Sequence, residues 1–205
     1  MADSVLLLQV LLSGPAVNLR SVAEVIRSDV GLTIQLLRLV SLEQGEHRPI
    51  EASVATNVVH AGVDKLLTLV TELEPLSSHP RGREALRECE QFWGHARLTA
   101  LMAEELAYKN TYNDPEEAYL AGLLFHIGEL PSILGWQWKD ADAEPHEIAG
   151  VLAKEWRLPA ILQDVVCGNE LRSSSSLPLL KLITEADEQA RRIRGLVAKF
   201  ARGVF

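Results

Sequence analysis

Three histidines in the second half of the chain are the residues best suited to chemistry near neutral pH. They are His95, His126 and His146. If their side chains converge, three imidazoles and one water molecule could hold a zinc ion in a catalytic arrangement. Their spacing matches no metal-binding motif, and His146 lies at a predicted helix start, where it could equally contact backbone or solvent. For His95, at the start of a predicted amphipathic helix, we favour a structural role in the helical core.

No other residues form a recognisable catalytic or cofactor-binding set. Asp164 and Glu170 lie near Cys167 without a nucleophile–base arrangement, and the chain has no glycine-rich phosphate loop, GxSxG elbow or HExxH helix. Cys89 and Cys167 stand alone, which is typical of small buried thiols in a reducing compartment.

The bulk properties exclude several classes of protein. The chain has 205 residues, a formal net charge of −8 and 47% hydrophobic residues, so we expect one domain with a sizeable core. The acidic balance argues against binding to nucleic acids or anionic membranes. The apolar run Val5–Leu12 lacks a basic leading segment, and we interpret it as an amphipathic first helix rather than a signal peptide. No segment approaches the roughly 20 apolar residues that cross a bilayer. We therefore expect a cytoplasmic protein.

Helical periodicity of apolar residues dominates the chain and predicts an all-α fold with about ten helices and no significant sheet. Polar caps or prolines mark predicted helix starts, and Gly62 marks a helix end; the start signals are Asn18, Asp29, Asp114–Pro115–Glu117, Pro145 and Pro159. The break Leu76–Gly82 divides the predicted domain, 1–205, into halves of about 1–76 and 80–205. A polar linker, Ser173–Ser176, leads to a final helix of about 177–199.

Two features stand apart from this pattern. Trp136 and Trp138 lie close to Gly135 in a predicted loop, where they could form a contact surface or cover a cleft; packing onto the helices beneath is the alternative. The C-terminal end of the chain is basic, with Arg191, Arg192, Arg194, Lys199 and Arg202. We interpret these side chains as compensation for the negative end of a helix dipole rather than as a contact patch.

An ordered series of short signatures resembles the HDOD family, relatives of the HD-type metal phosphohydrolases. The series runs from about residue 5 to 190, and the fold that it implies is an HD-like helical domain. Its segments are 18–26, 29–32, 36–38, 50–54, 62–67, 92–95 (FWGH), 116–124 (EEAYLAGLL), 127–130 (IGEL), 146–150 (HEIAG) and 156–159 (WRLP).

The resemblance implies a degenerate metal site. HD-type enzymes bind a divalent cation through a histidine, an adjacent His-Asp pair and a later aspartate, and the cation activates water. In the frame of that pair this chain has Phe125 and His126, and Glu129 stands where a lysine is common. Gly168–Asn169 replaces a His-His pair found in many HDOD proteins. The candidates for a relic cleft are His95, Phe125, His126, Glu129 and His146, with no catalytic residue, metal or cofactor expected.

We therefore expect a non-catalytic, bacterial signal-transduction domain that binds another signalling protein or domain in trans, or a small ligand. The alternative is a metal-dependent phosphohydrolase that uses His95, His126 and His146 on a nucleotide or phosphodiester. A helical adaptor without a ligand is a third option. The chain could also be a fragment of a longer protein.

Overall fold

A computed structural model describes residues 2–43, 50–73, 82–138, 142–168 and 174–201. Within these ranges the chain forms eleven α-helices and one short 3-10 helix, and no strand occurs among them. The prediction of an all-α fold with about ten helices is confirmed.

The helices fall into two groups along the chain. The first five are α1 (Ala2–Leu12), α2 (Leu19–Arg27), α3 (Val30–Glu43), α4 (Val54–Ala61) and α5 (Val63–Glu72). The second group is α6 (Gly82–Lys109), α7 (Pro115–Leu124), the 3-10 turn (Ile127–Glu129), α8 (Leu130–Leu134), α9 (Pro145–Glu155), α10 (Ala160–Val166) and α11 (Leu177–Ala201).

The predicted N-caps satisfy backbone N–H groups that a helix start leaves without partners. The Asn18 side chain accepts hydrogen bonds from the N–H groups of the second and third residues of α2. Asp29 accepts one from the Leu32 N–H at the start of α3. Asp114 accepts one from the Glu117 N–H at 3.0 Å, at the start of α7. These three helix starts are confirmed.

Other predicted boundaries hold to within two residues. Pro145 is the first residue of α9, whereas Pro159 is the residue before α10. Gly62 ends α4 with a φ of 77°, a value that favours glycine. The final helix extends to Ala201, two residues beyond its predicted end. Most of the predicted break at 76–82 lies outside the described residues, and its last residue, Gly82, begins α6. Residue 173 of the predicted linker also lies outside them, whereas residues 174–176 form a turn.

The long helix α6 is the centre of the second half, and it packs against both α7 and α11. A stripe of buried alanines allows this close approach: Ala96, Ala100, Ala103 and Ala107. Gly122 of α7 crosses the stripe so closely that a Cβ there would lie 2.9 Å from the Ala100 Cα. Side chains that emerge from the α6–α7–α11 junction are therefore held near one another.

The first helix differs from the sequence-based expectation. Leu8 and Leu12 of α1 are buried, as an amphipathic helix requires, but Leu6, Leu7 and Val10 are exposed. The helix is apolar on both faces because few of its residues are polar. Among the described residues, no helix is long and apolar enough to cross a membrane.

Candidate functional site

Three separate elements bring ionisable side chains to one point beside α6. His95 lies in the middle of α6, His126 lies between α7 and the 3-10 turn, and Asp187 lies on α11. The expectation that His95 begins a helix is wrong, because the helix already starts at Gly82. Both histidines are partly buried and Asp187 is buried.

The carboxylate of Asp187 is the hub of this group, which we call the His–Asp cluster: His95, His126, Glu129, Asp187 and Arg191. Asp187 Oδ1 accepts hydrogen bonds from His95 Nε2 at 2.7 Å and His126 Nε2 at 2.9 Å. Asp187 Oδ2 accepts one from Arg191 Nε at 2.8 Å, one helical turn further along α11. Glu129 Oε1 lies 3.3 Å from His126 Nδ1.

These contacts define the protons of the two imidazoles. A carboxylate without a proton can only accept, so both Nε2 atoms must carry hydrogen. The Nδ1 atom of His126 faces a second carboxylate, which makes this ring an imidazolium cation. The Nδ1 atom of His95 is buried and has no hydrogen-bond partner, as a neutral ring permits. The cluster thus balances two carboxylates with one imidazolium and one guanidinium.

The electrostatics of the cluster agree with this assignment. Burial by itself lowers the pKa of His126, but the hydrogen bonds that the ring donates to Asp187 and Glu129 outweigh it and raise the pKa from 6.5 to about 9. Burial opposes the charge of Asp187 in the same way, yet the hydrogen bonds from His126 and His95 hold its pKa well below the usual value. The hydrogen bond to His126 also lowers the pKa of Glu129.

A cavity of about 470 Å³ opens over the cluster. His95, His126 and Glu129 line one side, and Arg191, Arg194 and Gly195 of α11 line the other. The surface of this cavity therefore presents two arginines and an imidazolium together with the Glu129 carboxylate.

The other candidates from the sequence occupy different positions. Phe125 is partly buried and meets His126 edge-on, with ring centroids 4.9 Å apart. His146 is exposed on the first turn of α9 and is not part of the cluster. The hypothesis of three converging imidazoles is wrong, because α9 turns Ile148 and Ala149 inward instead. Trp136 is 51% exposed and Trp138 is partly buried, both just after α8.

Sequence reasoning missed Asp187 and Arg191 as site residues. Asp187 is the single carboxylate within the buried stripe of α11, between Ile183, Ala186 and Ala190. A lone acid on an apolar stripe costs free energy unless it is paired, and this signal was readable from the sequence. Arg191 lies more than two turns before the described end of α11, so the interpretation that it opposes the helix dipole is wrong.

The His–Asp cluster also contains potential metal ligands. His95, His126 and Asp187 each offer one ligand atom, and these atoms lie within 4.8 Å of one another. Two imidazoles and a carboxylate can hold a single zinc ion with one open position, so the donor set fits. The electrostatics oppose binding, because a cation would compete with protons on both Nε2 atoms and with the Arg191 guanidinium.

The comparisons agree on a family and a fold. The family model for the HDOD domain matches residues 1–137. The MmoQ response regulator from Methylococcus capsulatus str. Bath has a similar structure, with 20% identity, 93% of this chain and 84% of that chain covered, and a TM-score of 0.70. A second structure of MmoQ (fragment 20–298) gives 19% identity, 93% and 82% coverage, and a TM-score of 0.70.

A more distant similarity is to an HDOD domain protein of unknown function from Geobacter sulfurreducens, with 19% identity, 91% and 70% coverage, and a TM-score of 0.41. No curated protein is similar enough to the chain to count as a relative.

Proposed function

Because the chain belongs to the HDOD domain family, we propose that it is a non-catalytic signal-transduction domain, which binds another signalling protein or domain in trans, or a small ligand. One observation is the main support for the proposal. A catalytic cation would need the carboxylate of Asp187, but this carboxylate already accepts hydrogen bonds from two imidazoles and one guanidinium.

The residue types at the site support a binding role over hydrolysis. Phe125 stands in the frame of the pair that HD-type enzymes use, and its ring cannot ligate a metal. The imidazolium and Arg191 supply positive charge beside Asp187, as a divalent cation would in an HD-type enzyme. A charge-balanced cluster of this kind can be stable without metal.

The cluster also supplies a route for a signal. Its hydrogen bonds connect α11 to α6 and to the turn at Ile127–Glu129. A partner or ligand that breaks one of these hydrogen bonds would therefore change the packing of α11. The response-regulator role stated for MmoQ, a fold neighbour, is in keeping with this proposal. We also propose that the domain acts in the bacterial cytoplasm. The net charge of −8 disfavours nucleic acid or anionic membrane as partner.

The test measures metal content and turnover together. Protein purified without chelator is analysed for bound metal, then assayed with Zn²⁺, Mn²⁺ or Mg²⁺ against a panel of phosphodiesters and nucleotides. We expect substoichiometric metal and no turnover above that of the His126→Ala variant. Stoichiometric metal with turnover that His126→Ala abolishes, and that the control His146→Ala retains, would overturn the proposal.

The second candidate is a metal-dependent phosphohydrolase, and the three-donor set of His95, His126 and Asp187 is the observation that favours it. In that case these residues would hold the ion, which would acidify a water molecule and polarise a phosphate. The same assay decides between the two functions.

A further inference from the structure

A second cavity, of about 760 Å³, adjoins the His–Asp cluster on the side of α8 and α9. Its volume lies in the range typical of small-molecule sites. Apolar groups line it from the turn and α8 on one side, and from the start of α9 on the other. Trp136 and Trp138 also line it, and we call this space the tryptophan cavity.

Two walls of the tryptophan cavity meet in close backbone contact. A Cβ on Gly128 would overlap the Pro145 carbonyl oxygen and lie 3.1 Å from the Ala149 N–H nitrogen. The turn and α9 are therefore in direct backbone contact at a seam beside the cavity. A preformed cavity loses less free energy on ligand binding than one that must be ordered.

The charge of the described lining residues points to a class of ligand. Glu129 is the only charged residue among the described lining residues, and its side chain is half exposed. The neutral polar residues there are Ser132 and Gln137. Two indoles, several apolar side chains and one carboxylate suit a ligand with a flat apolar body and a positive charge, because aromatic faces and carboxylates both attract cations.

We propose that the tryptophan cavity is a binding site for a small organic amine with an aromatic or flat apolar body, whose ammonium group pairs with Glu129. The inference rests on the proposed regulatory function, for which it names the ligand class and the site.

Glu129 is the link between ligand and signal. The same side chain lines both the tryptophan cavity and the cavity over the His–Asp cluster. Its contact with His126 Nδ1, at 3.3 Å, is the longest in the cluster. An ammonium group at Glu129 competes with this contact, and the change reaches Asp187 on α11 through the other nitrogen of the same ring.

The test uses 2-phenylethylamine and phenylacetate, two probes with the same ring and opposite charge. Binding to the wild-type protein is measured by calorimetry and by NMR of the indole N–H groups. We expect the amine to bind and phenylacetate not to bind. The indole resonances of Trp136 and Trp138 should shift, whereas that of Trp93, whose Nε1 is buried in α6, should not.

Two variants locate the amine. Glu129→Gln keeps the shape of the side chain and should weaken amine binding by about two- to fivefold, the effect of one partly exposed ion pair. Glu116→Gln is the control, since Glu116 lines a separate acidic cavity near α2 and α7, and it should leave the affinity unchanged. Equal binding of the two probes, an unchanged affinity in Glu129→Gln, or no amine binding would each overturn the inference.

The two proposals fail separately. Metal-dependent turnover with intact amine binding would overturn the non-catalytic function alone. Absence of both turnover and amine binding would overturn the tryptophan cavity as an amine site and leave the regulatory function standing.

Discussion

At the scale of single residues, the stability of the folded protein depends on the groups that balance the negative charge of Asp187. A buried carboxylate with a missing partner is costly, whereas one with three donors is stable. Asp187 has His95, His126 and Arg191 as donors, and these come from α6, the end of α7 and α11 itself. Changes at this residue should therefore cost far more than changes at its exposed neighbours.

We predict that Asp187→Asn destabilises the protein by about 3 kcal/mol, because the imidazolium and the guanidinium lose their shared counter-charge. The measurement is the free energy of unfolding in urea. Glu188→Gln is the matched control, since its exposed pair with Arg192 spans 3.5 Å and should contribute less than about 1 kcal/mol. Equal effects of the two substitutions would contradict the role of Asp187 as the hub.

The raised pKa of His126 predicts that the folded protein loses stability at alkaline pH. Its pKa is raised in the folded protein from 6.5 to about 9. The proton is bound more tightly in the folded state, so the stabilisation is complete below pH 6.5 and is lost as the pH rises to about 9. The melting temperature of the wild-type protein should fall over this window.

The control for this pH dependence is a pair of glutamine variants. His126→Gln should flatten the fall in melting temperature, because the group that titrates is gone. His146→Gln, at an exposed position on α9, should keep the wild-type slope. A wild-type slope in His126→Gln would show that another group governs the transition.

At the scale of elements, close backbone approaches place the site. The seam between the 3-10 turn and α9 is held at Gly128, and the crossing of α6 and α7 is held at Gly122. Both glycines are buried, and neither has a positive φ. Because neither residue has a Cβ, the backbones can approach closely at both places. This close approach positions His126 and Glu129 beside α6 and α11.

We predict that Gly128→Ala destabilises the protein by about 2–3 kcal/mol, because the added methyl group forces the turn away from α9. The matched control is Gly94→Ala on the exposed side of α6, where an added Cβ meets nothing within 4 Å. This control should stabilise the protein by about 0.5–1 kcal/mol through helix propensity. Thermal unfolding followed by circular dichroism measures both, and a neutral Gly128→Ala would refute the close seam.

At the scale of the whole molecule, Arg27 joins the two groups of helices. The guanidinium of this α2 residue bonds to Glu104 of α6 at 2.5 Å and lies 3.6 Å from the ring centroid of Tyr119 on α7. The Tyr119 hydroxyl donates to the Arg27 carbonyl oxygen at 2.8 Å. Further along, Arg157 donates to the Ser41 carbonyl oxygen, so the contact between the groups is made at two places.

These contacts lead us to predict one cooperative unfolding transition. All four tryptophans lie in the second half of the chain, so their fluorescence reports on that half, whereas circular dichroism reports on helices throughout. The two probes should give coincident urea midpoints. Tyr119→Phe should lower stability by about 1 kcal/mol without separating them, and Tyr108→Phe, at a 69% exposed position, is the control. Separated midpoints would instead show two domains.

The sequence by itself determined the fold class, most helix boundaries and the family resemblance, because periodicity and caps such as Asn18 and Asp114 act within one or two turns. It also singled out His95, His126 and Glu129, which lie in short segments that resemble the family. The partners of these residues were decided by the tertiary structure. Asp187 and Arg191 reach the site only because α11 packs against α6. His146 lies outside the cluster because α9 turns its apolar face inward. No local pattern records which face of one helix meets another, so the charge balance of the site emerges only in the folded chain.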